Sequence, residues 1–236
     1  MRIDKFLSNL KFGTRKEVKE QMKKGIVSVN GILVKDGSEN INPETDIVYF
    51  DQEEIYYKNP ITLMMNKPAG VVSANTDAFD QTVMDLLPEK YQRFDFNIAG
   101  RLDKDTEGML ILTTDGALLH KIISPNKDVY KSYYVKLDSP ITSLKKLEEG
   151  VTINDGKDQP YLTKPAYSEI IDETTCILRI SEGKFHQVKR MFESVGLNVV
   201  YLKRIAIGSL KLDSSLGLGE VTELSEKDIL KIFEGI

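Results

Sequence analysis

The sequence predicts an α+β protein in two unequal parts. A small unit of two helices and a hairpin sheet occupies residues 1–58, and a larger domain of residues 59–236 carries a mixed, mostly antiparallel central sheet. Three observations lead there. Helix periodicity gives way to strand patterning within the first 50 residues. Short apolar runs then alternate with turns and short helices in no regular βαβ order. Between the two parts lies an acidic stretch, Asp51, Glu53 and Glu54, followed by Asn59-Pro60.

The elements of the first part follow from spacing. Ile3, Phe6, Leu7 and Leu10 recur at i, i+3, i+4 and i+7, one stripe of a helix that Gly13 ends. Thr14 and Glu17 have capping-box spacing for a second helix. Val18 and Met22 continue its apolar side, and Gly25 sits where a C-cap glycine belongs. Ile26–Val29 and Ile32–Val34 flank Asn30-Gly31, a two-residue hairpin turn, and Ile47–Phe50 is a third strand.

In the second part, Ile61–Asn66, Met109–Thr114, Tyr133–Leu137, Cys176–Ile180 and Val199–Leu202 read as strands. Helices are expected at Val83–Leu87, Ala117–Ile123, Ser143–Glu149, His186–Val195 and Glu226–Phe233. There is no internal repeat and no low-complexity tract.

Composition narrows the function classes. A single cysteine, Cys176, forbids an intramolecular disulfide and fits a reducing compartment. No apolar run approaches a membrane span, and the N-terminus lacks a signal-peptide apolar block, so the expected setting is cytoplasmic. Two histidines and one cysteine give no zinc spacing. The net charge is −4, yet residues 1–24 hold eight basic side chains against three acidic ones, and residues 183–211 hold six against one. Such patches can bind phosphate locally even on an acidic body. On charge alone, two ordinary solvated faces account for them slightly better.

Two segments carry candidate chemistry. In Gly100–Gly108 a charged loop bounded by glycines runs into a fully apolar strand, so the loop sits at the rim of a core, where catalytic groups are commonly held. Arg101 and Asp103 are two apart and point the same way in extended backbone. On spacing alone, a solvated surface turn accounts for the loop better. In Ile180–Phe192, Val188, Met191 and Phe192 make the buried face of a short helix that Val195 extends, and His186, Lys189, Arg190 and Glu193 form another stripe. A basic stripe near a strand end can pair with a loop carboxylate. His186 reads as an orienting or capping residue rather than a base. Templates for phosphate loops, dinucleotide loops and serine nucleophile elbows all fail, and nothing asks for nucleotide, flavin or metal.

The first 50 residues, with the hairpin SVNGILV, resemble the alpha-L RNA-binding domain of ribosomal protein S-four. GRLDKDTEGMLILTTDG (100–116) and ISEGKFHQVKRMFESVG (180–196) resemble the RsuA-type ribosomal RNA pseudouridine synthases, as do MNKPAGVVS (65–73), KSYYV (131–135) and LTKPA (162–166). The motifs stand in the family's order and run nearly end to end. Lysine at 189 and LTKPA are closest to the branch acting on small-subunit (16S) ribosomal RNA. Leu218-Gly219-Glu220-Val221-Thr222 departs from the Pro-Gly-Glu-Tyr-Arg of many relatives, with Thr222 in the place of the arginine.

The resemblance implies a cofactor-free isomerase that converts one uridine of 16S ribosomal RNA, the family's uridine 516, to pseudouridine. It implies Asp103 as the essential nucleophile or base, Lys189 as the cation that keeps it ionised, and Tyr133 packed on the uracil. Arg101 would fill the space left by the flipped base. Lys67 and Arg190 would contact RNA backbone, and the helical face carrying Arg15, Lys16, Lys19 and Lys23 would add affinity. The expected partner is ribosomal RNA, free or within a small-subunit assembly particle; no membrane or metal is expected, and the protein is expected to act as a monomer. Alternatives are a large-subunit synthase of the same family and a catalytically silent RNA-binding assembly factor.

Overall fold

The structure, a computed structural model, describes residues 1–124, 127–157 and 159–235. Its Cα positions fall into two compact units, Met1–Pro60 with Pro88–Asp95, and Ile61–Leu87 with Phe96–Ile236. The sequence-based division at residue 58 differs from these units in two respects: Asn59 and Pro60, and the segment Pro88–Asp95, go with the first.

The first unit opens with α1 (Ile3–Asn9) and α2 (Arg15–Lys23). Ile3, Phe6, Leu7 and Leu10 are all buried, together with Val18 and Met22. The Thr14–Glu17 capping box is present at the start of α2. A sheet of order β2-β1-β3-β4 follows, built from β1 (Val27–Val29), β2 (Ile32–Leu33), β3 (Val48–Phe50) and β4 (Glu53–Glu54). Asn30 and Gly31 both have positive φ, +51° and +81°, as a type I′ hairpin turn requires. The acidic stretch is thus an edge strand, and charge on an edge discourages further pairing. Within this unit Phe94 packs on the core of Phe6, Leu7 and Val48.

The second unit holds a nine-stranded sheet, a separate two-stranded hairpin and short helices. Along the chain come β5 (Thr62–Lys67), β6 (Asn97–Ala99), β7 (Glu107–Thr113), α4 (Gly116–Ile123), β8 (Lys131–Leu137), α5 (Lys145–Glu149) and the hairpin β9 (Thr152–Asn154) and β10 (Pro160–Leu162). Then follow β11 (Tyr167–Ile170), β12 (Thr175–Ile180), α6 (Gln187–Glu193), β13 (Val199–Ile207), β14 (Leu210–Lys211), β15 (Val221–Glu223) and α7 (Glu226–Lys231). α3 (Glu89–Gln92) belongs to the first unit. The main path runs β11-β12-β8-β13-β7-β5-β15, with β14 on β13 and β6 on β7. Only the β13–β7 pairing is parallel among these, so the sheet is mixed and mostly antiparallel. Met109–Leu112 of β7 is fully buried, as its unbroken apolar run requires.

Val83–Leu87 forms turns instead of the expected helix. Thr82 and Asp85 exchange hydrogen bonds as a cap would, but Pro88 follows at once, and a residue before proline is disfavoured in the α region. Among the described residues, no helix is long and apolar enough to cross a membrane.

Candidate active site

The glycine-bounded loop joins β6 to β7, and two buried cations fasten its main chain. Lys67, at the end of β5, is 0% exposed, and its ammonium donates to the carbonyls of Pro68, Asp103 and Thr106 at 2.9, 3.1 and 2.9 Å. Arg204 of β13, 1% exposed, donates to Gly100 O at 2.8 Å and Met109 O at 2.7 Å. Ser73 ties Leu102 through both its N–H and its carbonyl. Gly108 must be glycine: its φ is +103°, and a Cβ there would meet Arg204 O at 2.3 Å, where β7 and β13 run side by side. Burial pulls the Lys67 ammonium down to about 8, against the opposing charges of Asp105, Asp103 and Glu107.

Across from this loop stands the turn that leads into α6. His186 has left-handed backbone, φ 50° and ψ 31°, an uncommon state for histidine. The turn is held from inside by Glu182, which accepts from Tyr161 Oη at 2.6 Å, Lys164 N at 2.9 Å and Gln187 Nε2 at 2.6 Å. Gln187 Oε1 in turn accepts from Lys184 N at 2.8 Å.

The side chains converge on Asp103. Lys189 Nζ lies 3.4 Å from its Oδ2, and His186 Nε2 lies 3.5 Å from its Oδ1. Lys189 also bonds Asp105 at 2.6 Å. Burial raises the Asp105 carboxyl, but the hydrogen bond and charge of Lys189, with the nearby His186, more than offset it, and its pKa is lowered. Phe185 stacks on the His186 ring at 3.8 Å between centroids. Asp103, His186 and Lys189, together with Arg101 and the largely buried Tyr133, line a cleft of about 70 Å³. The arrangement sets a carboxylate, an ammonium and an imidazole around one small cleft, a geometry compatible with nucleophilic or acid–base chemistry. A far larger groove, about 1330 Å³, is lined by Tyr134, Tyr201 and Lys203. Strand alternation puts these on the opposite sheet face from Tyr133 and Leu202, so the groove contains none of the cleft's titratable groups. Among the described residues, no three His, Cys, Asp or Glu side chains stand together as a metal site.

Residues 61–194 match the family described as RNA pseudouridylate synthase, more than half of the chain. The chain belongs to that family. Residues 1–47 match the S4 domain, so an S4 domain precedes the synthase domain. An uncharacterized RNA pseudouridine synthase of Bacillus subtilis, YtzG, is 48% identical over 97% of both chains. The ribosomal small subunit pseudouridine synthases A of Vibrio cholerae and Escherichia coli are 39% and 37% identical, covering 99% and 98% of this chain and 100% of theirs. A crystal structure of a pseudouridylate synthase is similar with a TM-score of 0.68 and 37% identity, over 98% of this chain and 99% of that one.

In this synthase the structure gathers Arg101, Asp103, Tyr133 and Lys189 in one cleft. Other sequence expectations need correction. Lys67 is buried under the loop and bonded to its carbonyls, so it is not available to RNA backbone. The Arg190 guanidinium bonds the carbonyls of Asn154 and Asp155 at the end of β9, which occupies it within the protein. Arg204 is buried and drops out of the basic patch counted over 183–211. In the S4 unit, Arg15 and Lys19 reach the fully buried Asp4 at 3.0 and 3.4 Å, alongside Arg2. Burial raises the Asp4 carboxyl, but bonds from Arg2 and Arg15 lower it further than burial raises it. Lys16 and Lys23 project into solvent. Sequence reasoning missed Asp105 as the nearer partner of Lys189, although the i, i+2 spacing from Asp103 was there to read. It gave His186 an orienting role without naming Asp103 as the group it faces.

Proposed function

We propose that this synthase isomerises one uridine of small-subunit ribosomal RNA, uridine 516, to pseudouridine. The observation that carries the mechanism is the Asp103 carboxylate 3.4 Å from Lys189 Nζ in the cleft with Tyr133. The reaction breaks the bond from the ribose carbon to uracil N1 and remakes it to uracil C5. The proton on C5 leaves and N1 gains one, so no oxidant, reductant or group donor is consumed. Asp103 serves as nucleophile or base, Lys189 holds it in place by its charge, and Tyr133 packs on the turning ring.

The target lies in structured RNA, so the uridine is flipped into the cleft and Arg101 occupies the vacated place. The choice of small-subunit RNA is supported by full-length relatives named for that substrate, at 37–39% identity. Ribosomal RNA, bound free or in an assembly particle and in the cytoplasm, would also engage the S4 unit, and the enzyme would act as a monomer. Sequencing of carbodiimide-treated ribosomal RNA from a strain lacking this protein tests the reading. One pseudouridine should vanish from the small-subunit RNA. A loss from the large-subunit RNA, or no loss, would refute it.

A further inference from the structure

Phe79 is 97% exposed, more than any other large apolar side chain among the described residues. Its backbone is nonetheless fixed. Asp77 Oδ1 accepts from the N–H groups of Phe79 and Asp80, both at 2.9 Å, which makes a closed Asx turn. Asp80 then bonds Lys104 Nζ at 2.7 Å, and Lys104 is the residue after Asp103. At the root of the same segment, Gly70 N donates to Lys104 O at 2.7 Å. The ring is therefore carried on a rigid turn fastened to the loop that holds the reactive carboxylate.

A fully exposed phenylalanine on an ordered turn contributes nothing to the core; a lone exposed apolar side chain is ordinary on a protein surface, and what distinguishes this one is the turn that ties it to the loop carrying Asp103. The chemistry it can recognise is an unpaired π face, since the ring has neither charge nor hydrogen-bonding atoms for phosphate or base edges. The carboxylates beside it do not present free charge: Asp80 is paired with Lys104, and Asp77 is engaged by two N–H groups. Flipping a base out of a stack uncovers the faces of its neighbours, and base–aromatic stacking replaces that loss without regard to sequence.

We propose that Phe79 stacks on a base next to the flipped uridine, so that Phe79 and Arg101 together hold the opened RNA. The proposal rests on the reading of the substrate as structured ribosomal RNA.

The test compares the full-length protein with Phe79→Ala and Phe79→Tyr, using in vitro transcribed small-subunit ribosomal RNA in equilibrium titrations and single-turnover assays. Phe79→Ala should weaken RNA binding about tenfold, the size of one base–aromatic stack, with an unchanged melting temperature. Phe79→Tyr should stay within about twofold of the unsubstituted protein, because the ring is kept. Unchanged binding in Phe79→Ala, or a loss in Phe79→Tyr equal to that in Phe79→Ala, would overturn the proposal. The binding arm does not need turnover. A protein that binds this RNA through Phe79 but modifies another one would overturn the substrate reading alone, and an active protein indifferent to Phe79→Ala would overturn the stacking alone.

Discussion

Lys189 stands between two carboxylates, 2.6 Å from Asp105 and 3.4 Å from Asp103. The shorter contact goes to the exposed acid and the longer one to the acid inside the cleft. Asp105 therefore positions the ammonium, while Asp103 keeps one carboxylate oxygen within reach of it without being tied to it.

Lys189→Met should lower single-turnover isomerisation on the order of 10²-fold, the usual cost of a misplaced reacting group. Folding should be little affected, because an ion pair with an exposed partner contributes about 0–1 kcal/mol. Lys189→Arg keeps the charge and should retain more activity than Lys189→Met. Thermal melting checks folding. Equal activity in Met and Arg variants would remove the charge from the mechanism.

Lys67 gives a stability signature. Its folded pKa of about 8 lies below the ordinary 10.5, as does that of the buried Lys131. Between those values the unfolded chain holds more protons than the folded one, so stability should rise as pH rises from about 8 toward 10.5. Tyr161 and Tyr201 are pushed up to about 12, the first mainly by its bond to Glu182 and the second mainly by burial, and they oppose this trend only as pH passes 10. Urea midpoints at pH 8, 9 and 10 should increase, and Lys67→Met should reduce the increase. The same variant leaves loop carbonyls unpaired and should lose roughly 1–3 kcal/mol at pH 7.

Neutralising Lys16 and Lys23 should flatten the salt dependence of RNA binding and leave isomerisation of bound RNA intact. Each lost phosphate contact removes about 0.7–0.9 from the log–log slope. Lys19 is left in place because it faces Asp4. Titrations at several salt concentrations with parallel lines for both proteins would show that this stripe meets only water.

A protein reduced to residues 59–236 should fold and isomerise with weakened RNA affinity. It should also bind a hydrophobic dye through Tyr91 and Phe94, which pack within the first unit. Truncation together with Phe94→Ser should lower that dye binding. An insoluble product in both cases would contradict the division.

Local features were readable because they depend on neighbours a few residues away. The Thr14–Glu17 box, the Asn30-Gly31 turn and the buried run of β7 are of this kind. So were the cleft residues, since Asp103 and Lys189 sit in long motifs. Lys67 and Arg204 were not readable. A lysine in an Asn-Lys-Pro turn and an arginine in a basic run look exposed, and only pairing across 36 and 104 residues buries them against carbonyls. Arg190 shows the same limit: spacing put it on the basic stripe, but the β9 hairpin that takes its guanidinium lies 35 residues back.

The most direct test is Asp103→Asn, returned to a strain lacking the protein, with pseudouridine mapped by carbodiimide sequencing of small-subunit ribosomal RNA. The amide keeps the size and place of the carboxylate but can serve neither as nucleophile nor as base. The unsubstituted protein should restore one pseudouridine. Asp103→Asn should restore none while binding the RNA within a few-fold of the unsubstituted protein. Restoration by Asp103→Asn at close to the normal level would show that the carboxylate between Lys189 and Tyr133 is not the reactive group.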